Sequence, residues 1–239
     1  MNYFKKLSRM LLTTLAVLLV VSACAKQPAK DPEPENKEAA IAFAKEYNDL
    51  NGTTNPNNSK EYKTLDVKTE NPIVFSSFQE INELLKSGTG VIYLGFPECP
   101  WCRTLLPVLL DVADQEFINT IYYLNVKELR DVKKLDQSGS VVTEKEGAEG
   151  YAEFLSLMDA HLDAYDGLED PSIKRLYVPA VIFVKEGEVQ LFHVGTVDSQ
   201  EDPYQPLTTE QYQELYGLLK EATKATLRLA CETEESKAC

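Results

Sequence analysis

The sequence has few residues that bind metals and little that could span a membrane. Only two histidines occur, His161 and His193, so a histidine-rich metal centre is excluded. The longest apolar run, residues 11–21, is shorter than the ~20 residues that a membrane-spanning helix needs. Basic residues number 24 against 38 acidic ones, and the net charge of −14 disfavours binding to nucleic acid or to anionic lipid. Of the 239 residues, the ~200 beyond the N-terminal region fit one domain with additions, or one and a half domains.

The N-terminus has the features of a secretory signal. Basic residues precede the apolar run and small residues follow it. The tetrad Val21-Ser22-Ala23-Cys24 resembles a bacterial lipobox, which implies lipid attachment at Cys24 on the outer face of the cell membrane. The alternatives are an ordinary signal peptide cleaved beside an unrelated cysteine, or a retained membrane anchor. We expect a signal peptide over residues 1–23 and a flexible tether over residues 24–38.

The motif Cys99-Pro100-Trp101-Cys102 carries the chemistry of this chain. It follows an apolar run typical of a buried strand and opens a segment with helical periodicity. Free N–H groups and the positive end of a helix dipole stabilise a thiolate at the first helical turn. A second thiol one turn further on can attack a mixed disulfide formed by the first. The sequence therefore predicts a redox-active pair, Cys99 and Cys102, that needs no other cofactor.

Strand and helix patterns alternate on both sides of the motif. We predict helices over residues 38–50, 77–86 and 149–165, besides the motif helix. We predict strands over residues 73–75, 90–96, 121–126, 180–184 and 189–194, and a short extended piece over 62–67. The last two strands form a hairpin. This order indicates an α/β fold with parallel strand pairing.

Prolines and glycines at fixed spacing complete a known pattern. Besides the CxxC motif, the residues that carry it are Pro107, Pro179, Gly187 and Gly195. Together they resemble the thioredoxin superfamily. The resemblance implies a thioredoxin-like α/β fold over residues 71–230, preceded by an N-terminal extension over residues 39–70. The long interval before Pro179 implies a helical insert, at about residues 127–176, between the third strand and a cis-proline.

The resemblance also implies roles for residues around the thiols. A cis peptide bond at Pro179 would keep its loop close to the sulfurs, and the backbone of Val178 would pair with extended substrate. Trp101 is predicted either to offer substrate a flat apolar contact or to cover the helix end. The family's acidic residue on the strand before the motif is replaced by Tyr93. Its role in proton transfer is therefore unfilled or passes to a neighbour such as Glu98.

Two cysteines remain near the C-terminus, in a tail over residues 231–239. Once Cys24, Cys99 and Cys102 are assigned, an even number of cysteines is left. In an oxidising compartment this favours a structural disulfide between Cys231 and Cys239. The alternatives are a second redox pair, free or intermolecular thiols, and a zinc site shared with the motif. We expect no metal, because a Pro-Trp interior directly after a strand suits redox chemistry better than zinc binding.

As a whole, the chain resembles the thioredoxin-like lipoproteins of Gram-positive bacteria, some of which are bacteriocin-transport accessory proteins. This implies a membrane-tethered, extracytoplasmic thiol–disulfide oxidoreductase. Its expected partners are exported proteins or peptides with thiols or disulfides and, for a reductase, a membrane electron-transfer partner. The alternatives are a non-catalytic thioredoxin-fold chaperone or accessory module, and a metal-delivery protein in which His193 joins the thiols. The direction of exchange is open at this stage.

Overall fold

The computed structural model describes residues 34–227. The predicted signal peptide, the lipidation site Cys24, and the C-terminal cysteines Cys231 and Cys239 lie outside these residues, and what was predicted for them stays a prediction. Within residues 34–227, no helix combines the length and the apolar character that crossing a bilayer requires.

Helices and strands alternate through most of the described chain. The helices are α1 (Pro34–Asn48), α2 (Phe78–Ser87), α3 (Pro100–Gln115), α4 (Tyr151–Leu157) and α5 (Thr209–Leu227). The strands are β1 (Ile73–Phe75), β2 (Gly90–Gly95), β3 (Ile121–Asn125), β4 (Val132–Leu135), β5 (Val141–Lys145), β6 (Ala180–Lys185) and β7 (Glu188–Val194). The predicted order of strand, helix, strand, motif helix and strand is confirmed.

The central sheet has the strand order β1-β3-β2-β6-β7. Strand β3 pairs in parallel with β1 and β2, whereas β6 runs antiparallel to both β2 and β7. A parallel β-α-β unit therefore joins an antiparallel hairpin, and a last helix, α5, follows the hairpin. This architecture is thioredoxin-like, as predicted.

Helices cover both faces of the sheet. Successive side chains of the central strand β2 point to opposite faces and pack against these two layers. Val91 and Tyr93 of β2 belong to the core cluster that contains residues of α1, α3 and α5. Ile92 and Leu94 belong to the opposite cluster, with residues of α2 and α4. The motif helix α3 thus packs on the same face as the N-terminal helix α1.

The N-terminal extension is part of the core. Helix α1 begins at Pro34, so the last residues of the segment predicted as a tether are helical. Phe43 and Tyr47 of this helix are fully buried. Residues 62–67, predicted to be extended, form no strand of the sheet. Side chains hold them in place instead. The amide of Asn48 hydrogen-bonds to both the N–H and the carbonyl of Val67, and the amide of Asn51 does the same with Leu65.

The insert before Pro179 is not purely helical, which corrects the prediction. It contains a separate antiparallel hairpin, β4–β5, and its helix α4 ends at Leu157. The apolar residues at helical spacing within residues 149–165 are nevertheless in the core, since Tyr151, Phe154, Met158 and Leu162 are all buried. A short helix followed by turns therefore buries the residues that a helix over residues 149–165 was expected to bury.

Local contacts define the start of α2 and the turn of the β6–β7 hairpin. Ser77 caps α2 in a capping box, in which its Oγ accepts from the N–H of Glu80 and its own N–H donates to the Glu80 carboxylate. The β6–β7 hairpin turns through Glu186 and Gly187, both with positive φ. A side chain at Gly187 would collide with the carbonyl oxygen of Lys86, 2.4 Å from the Cβ position.

Candidate active site

The two thiols of the motif lie at the start of α3, where the sheet and helix meet. Cys99 is the N-cap residue, and its Sγ accepts a hydrogen bond from the N–H of Cys102 at 3.3 Å. Pro100 occupies the first helical position, which suits its fixed φ and missing N–H. Both thiols are free, with Cys99 7% exposed and Cys102 fully buried. The solvent-facing sulfur is therefore Cys99.

The surroundings of the two thiols shift their pKa values in opposite directions. The pKa of the Cys99 thiol is lowered, most of all by its hydrogen bond with the Cys102 thiol and further by the N–H groups of Cys102 and Trp101, although burial opposes this. The pKa of the Cys102 thiol is raised well above its ordinary value, chiefly by burial and then by Cys99. Cys99 is consequently suited to act as the nucleophile, with Cys102 protonated until it is needed.

The predicted cis-proline lies beside the thiols. The peptide bond between Val178 and Pro179 is cis. The Cys99 Sγ is 3.9 Å from the carbonyl oxygen of Val178, and β6 begins directly after the proline. Trp101, in the first turn of α3, is partly buried. The structure therefore brings Cys99 and Cys102 together with the loop of Val178 and Pro179.

Arg130 adds a positive charge near Cys99 that the sequence analysis did not identify. It lies in the loop after β3, where its Nη1 donates to the carbonyl of Leu176 at 3.0 Å. Its guanidinium lies 5.7 Å from the ring centre of Phe96. The charge contributes to the lowered pKa of the Cys99 thiol. Arg130 therefore stabilises the thiolate from the side of the insert.

The strand residue six positions before Cys99 is a tyrosine, Tyr93. Tyr93 on β2 is fully buried, its hydroxyl lies 2.8 Å from that of Tyr47, and it lowers the pKa of the Cys102 thiol against the larger opposing effect of burial. Gly95 leaves room for the phenol and the sulfur. A Cβ atom there would be 2.8 Å from Tyr93 Oη and 3.1 Å from Cys102 Sγ. The phenol is thus the polar group that the sheet presents to the buried thiol.

Glu98, the neighbour that the sequence suggested for proton transfer, is engaged elsewhere. Its carboxylate forms an ion pair with Lys127 at 2.7 Å, and both side chains are at the surface. Neither residue is among the leading influences on the pKa of Cys102. The structure therefore gives no support to a role for Glu98 at the buried thiol.

Arg103, directly after Cys102, fastens α3 to the N-terminal extension. Its side chain is fully buried. It donates to the carbonyls of Lys63 (2.6 and 2.9 Å) and Tyr47 (2.9 Å), and to Oδ1 of Asn51 (2.9 Å). A basic residue inside an apolar helix was the signal in the sequence that could have identified this contact. The N-terminal extension thereby supports the helix that carries the thiols.

No cluster of three or more His, Cys, Asp or Glu side chains suited to a metal ion occurs within residues 34–227. His193 lies on β7, opposite Val181 of β6, and its Nε2 is buried without a hydrogen-bond partner in the described part of the chain. It does not join Cys99 and Cys102 in a ligand set. The metal-delivery alternative therefore has no site among these residues.

Comparisons with known proteins give limited results. No family model matches the chain, and no curated protein matches it. Among solved structures, the chain is similar to thioredoxin O1 from Arabidopsis thaliana in its oxidized state, at 15% identity and a TM-score of 0.35, over 65% of this chain and 98% of that one. Thioredoxin O2 from the same plant, also oxidized, gives 18% identity and a TM-score of 0.32, over 53% and 85%. The thioredoxin-like fold is assigned from the strand order of this chain itself.

Proposed function

We propose that this protein is an extracytoplasmic, membrane-tethered thiol–disulfide oxidoreductase that acts on exported proteins or peptides through Cys99 and Cys102. The observation that carries the proposal is the position of Cys99 Sγ. This sulfur caps α3, accepts a hydrogen bond from the N–H of Cys102 and lies near the carbonyl oxygen of Val178. The same atom therefore contacts both the start of the helix and the cis-proline loop. The tether and the extracytoplasmic location are supported by the signal and lipobox pattern that ends at Cys24.

The exchange proceeds in two displacements. The Cys99 thiolate attacks one sulfur of a substrate disulfide, forming a mixed disulfide and releasing the other substrate sulfur as a thiolate. The Cys102 thiolate then attacks Cys99 Sγ and releases the second substrate thiolate. The substrate has gained two electrons, and the protein has become a disulfide between Cys99 and Cys102. The same steps in reverse oxidise a substrate dithiol.

Access to Cys99 favours an extended substrate. With Cys99 only 7% exposed, a partner must reach the sulfur through a narrow opening. Val178 lies next to that sulfur and directly precedes the cis-proline and β6, which makes its backbone the natural place for a peptide to pair. Trp101 is partly buried in the adjoining helical turn and offers the substrate an apolar surface.

Two variants test the proposal. Cys99→Ser should abolish exchange with a disulfide-containing peptide, because the thiolate that makes the first attack is lost. Cys102→Ala should retain that attack and accumulate the mixed disulfide, because the resolving thiol is missing. Turnover and the mass of the trapped species are the measurements.

The control is a variant with both Cys231 and Cys239 replaced by serine, which should keep its exchange activity. Activity that survives in Cys99→Ser and disappears in this control would assign the chemistry to the C-terminal pair. In cells, Cys99→Ser with unchanged function would favour a non-catalytic binding module. A reduction potential near about −270 mV would assign a reductase, and one near about −120 mV an oxidase.

A further inference from the structure

Two arginines lie beside the loop that carries the cis-proline. They are Arg130, in the loop after β3, and Arg175, four residues before Pro179, and together they are called the arginine pair here. Neither forms an ion pair with an Asp or Glu within residues 34–227. From their geometry we propose, resting on the proposed exchange at Cys99, that the arginine pair binds an acidic side chain of the substrate close to the cysteine that is attacked.

Arg130 is held by the two segments that flank Cys99. Its Nη1 donates to the carbonyl of Leu176 at 3.0 Å, two residues before Val178, whose own carbonyl oxygen is 3.9 Å from the Cys99 Sγ. Its guanidinium also lies 5.7 Å from the ring centre of Phe96, and the carbonyl of Phe96 accepts the N–H of Cys99 at 3.2 Å. The charge of Arg130 is therefore fixed between the cis-proline loop and the segment that leads into the motif.

Arg175 is held against the insert. Its guanidinium carbon lies 4.2 Å from the ring centre of Tyr165, and its Nη1 donates to the carbonyl of Asp131 at 3.2 Å. Asp131 directly follows Arg130, and Arg175 directly precedes Leu176, whose carbonyl Arg130 binds, so contacts in both directions link the two arginines. Burial, and then the charge of Arg175, lower the pKa of the Arg130 guanidinium, which shows that the two like charges act on each other.

Most N–H groups of the arginine pair have no acceptor in the protein. A guanidinium carries five N–H donors. In the described part of the chain, Arg130 donates to Leu176 alone and Arg175 to Asp131 alone. The Nε of Arg130 is buried and lacks a partner there, which is costly for a charged group. An acceptor brought by the substrate would relieve this cost, and the two oxygens of a carboxylate match the planar fork of a guanidinium.

The acidic side chains nearby are engaged with lysines. The Oδ2 of Asp131 lies 3.4 Å from the Nζ of Lys133, and its Oδ1 is buried without a hydrogen bond to either arginine. Glu98, next to the motif, pairs with Lys127 at 2.7 Å. These ion pairs are neutral as units, so the arginine pair is a local positive charge in a chain whose net charge is −14. Such a site attracts a carboxylate near the thiols, where the rest of the molecule offers little attraction.

The position of the arginine pair sets where the acid stands in the substrate. An extended peptide that pairs with the backbone of Val178 advances about 3.3 Å per residue. Leu176, the residue that Arg130 binds, stands two residues before Val178. An acidic side chain about two residues from the substrate cysteine would therefore reach the guanidiniums. The proposed substrates are proteins and peptides, in which Asp and Glu supply such carboxylates. The inferred substrate class is exported chains with an acidic residue close to the reactive cysteine.

The test compares two capped peptides that differ only in having Glu or Gln two residues from their cysteine, on both sides. The cysteine carries a thiopyridyl group in a mixed disulfide. The Cys99 thiolate of the reduced full-length protein attacks the peptide sulfur, and thiopyridone leaves with the bonding pair and takes a proton from water. Its absorbance gives the rate, which is divided by that of a small neutral thiol. The Glu peptide should react about 3- to 10-fold faster at low salt, and added salt should reduce this preference.

Arg175 is the residue to change, because Arg130 also acts on the Cys99 thiol. Arg175→Met should bring the ratio of the two rates close to one, chiefly by slowing the reaction with the Glu peptide. Arg175→Lys keeps the charge without the planar fork and should retain part of the preference. The matched control is Lys86→Met, which removes a positive charge from the last turn of α2, before β2 begins and so at the end of the sheet opposite the motif. It should keep the full preference.

Equal rates with the two peptides in the wild type would overturn the acid subsite and leave the proposed function intact. A preference that Arg175→Met keeps, even with slower exchange, would overturn it too, since Arg175 would then only support the loop. If the wild type attacks neither peptide, the proposed function fails, and binding of the same peptides with serine for cysteine decides about the subsite. A shift of the Nε–Hε resonance of Arg130 or Arg175 with the Glu peptide alone supports it, and no such shift overturns it.

Discussion

At the scale of single residues, the site is built from unequal thiols. Cys99 receives two backbone N–H groups of α3 and the charge of Arg130, whereas Cys102 is enclosed by core residues. The first arrangement stabilises a thiolate and the second opposes one. The two thiols therefore differ in acidity before any substrate arrives, as the proposed two-step exchange requires.

Arg130 provides a direct test of this difference. Arg130→Met should raise the pKa of the Cys99 thiol, because a nearby positive charge is lost, and should slow alkylation of Cys99 by iodoacetamide near pH 7 about two- to fivefold. Arg130→Lys keeps the charge and should restore most of the rate. The measurement is the alkylation rate against pH in the reduced protein, with Cys102→Ala as the background. An unchanged profile in Arg130→Met would show that the helix terminus alone activates Cys99.

The residues that the sequence could identify are those whose chemistry is visible in a short motif. Cys99, Cys102 and Pro179 stand at fixed spacings, and the structure places them together. Arg130 could not be found in this way. It acts on Cys99 from a segment distant in sequence, and nothing around it in the chain distinguishes it from an ordinary surface charge.

At the scale of elements, α3 depends on the extension that precedes the sheet. All three nitrogens of the Arg103 guanidinium donate hydrogen bonds to carbonyl or amide oxygens of that extension. Burial lowers the pKa of this guanidinium, which is a cost of placing the charge inside the protein. The hydrogen bonds offset the cost and fix α1 and residues 62–67 against the first turns of the motif helix.

Removing this side chain should destabilise the fold. Arg103→Met leaves the carbonyls of Tyr47 and Lys63 without their donor, and we expect a loss of about 3 kcal/mol in the free energy of unfolding. Urea unfolding followed by circular dichroism measures it. Lys45→Met, which removes the exposed ion pair of Lys45 with Asp49, should cost less than ~1 kcal/mol. Equal losses in the two variants would contradict a special role for Arg103.

The elements that the sequence predicted best are those with strong, regular patterns. The amphipathic face and Ser77 cap of α2 and the apolar strands β2 and β6 are found nearly as predicted. Strands β4 and β5 were missed because their sequences, Val-Lys-Lys-Leu and Val-Val-Thr-Glu-Lys, do not alternate apolar and polar residues, and none of their residues is buried. The helix over residues 149–165 was predicted too long because Met158 and Leu162 keep helical spacing while the chain already turns.

At the scale of the whole molecule, buried tyrosines determine how the free energy of unfolding changes at high pH. Burial raises the pKa of Tyr47 and Tyr93 well above 10.0, and it raises that of Tyr123 as well. A phenol whose pKa is higher in the folded state stabilises the fold below the unfolded pKa. This contribution is lost as the pH rises above that value.

We therefore expect stability to fall steeply above about pH 10. With three such phenols, the free energy of unfolding should drop by about 4 kcal/mol between about pH 8 and pH 11, at roughly 1.4 kcal/mol for each phenol one unit above its unfolded pKa. Urea unfolding at each pH gives this difference, and absorbance at 295 nm follows phenol ionisation. Tyr47→Phe should reduce the drop by about a third. A gradual ionisation without unfolding would show that the cluster admits solvent.

Gly95 has a consequence for how this protein can change. A methyl group there would press on the hydroxyl and ring of Tyr93 and on the sulfur of Cys102, and the ring cannot move away because it stacks on Tyr123. Replacing Gly95 alone should therefore fail, and so should replacing Tyr93 with any bulkier residue. A smaller residue at position 93 would create the room that a side chain at position 95 requires. We expect these two positions to accept substitutions as a pair, so that a library varied at both should yield functional proteins that single changes cannot reach.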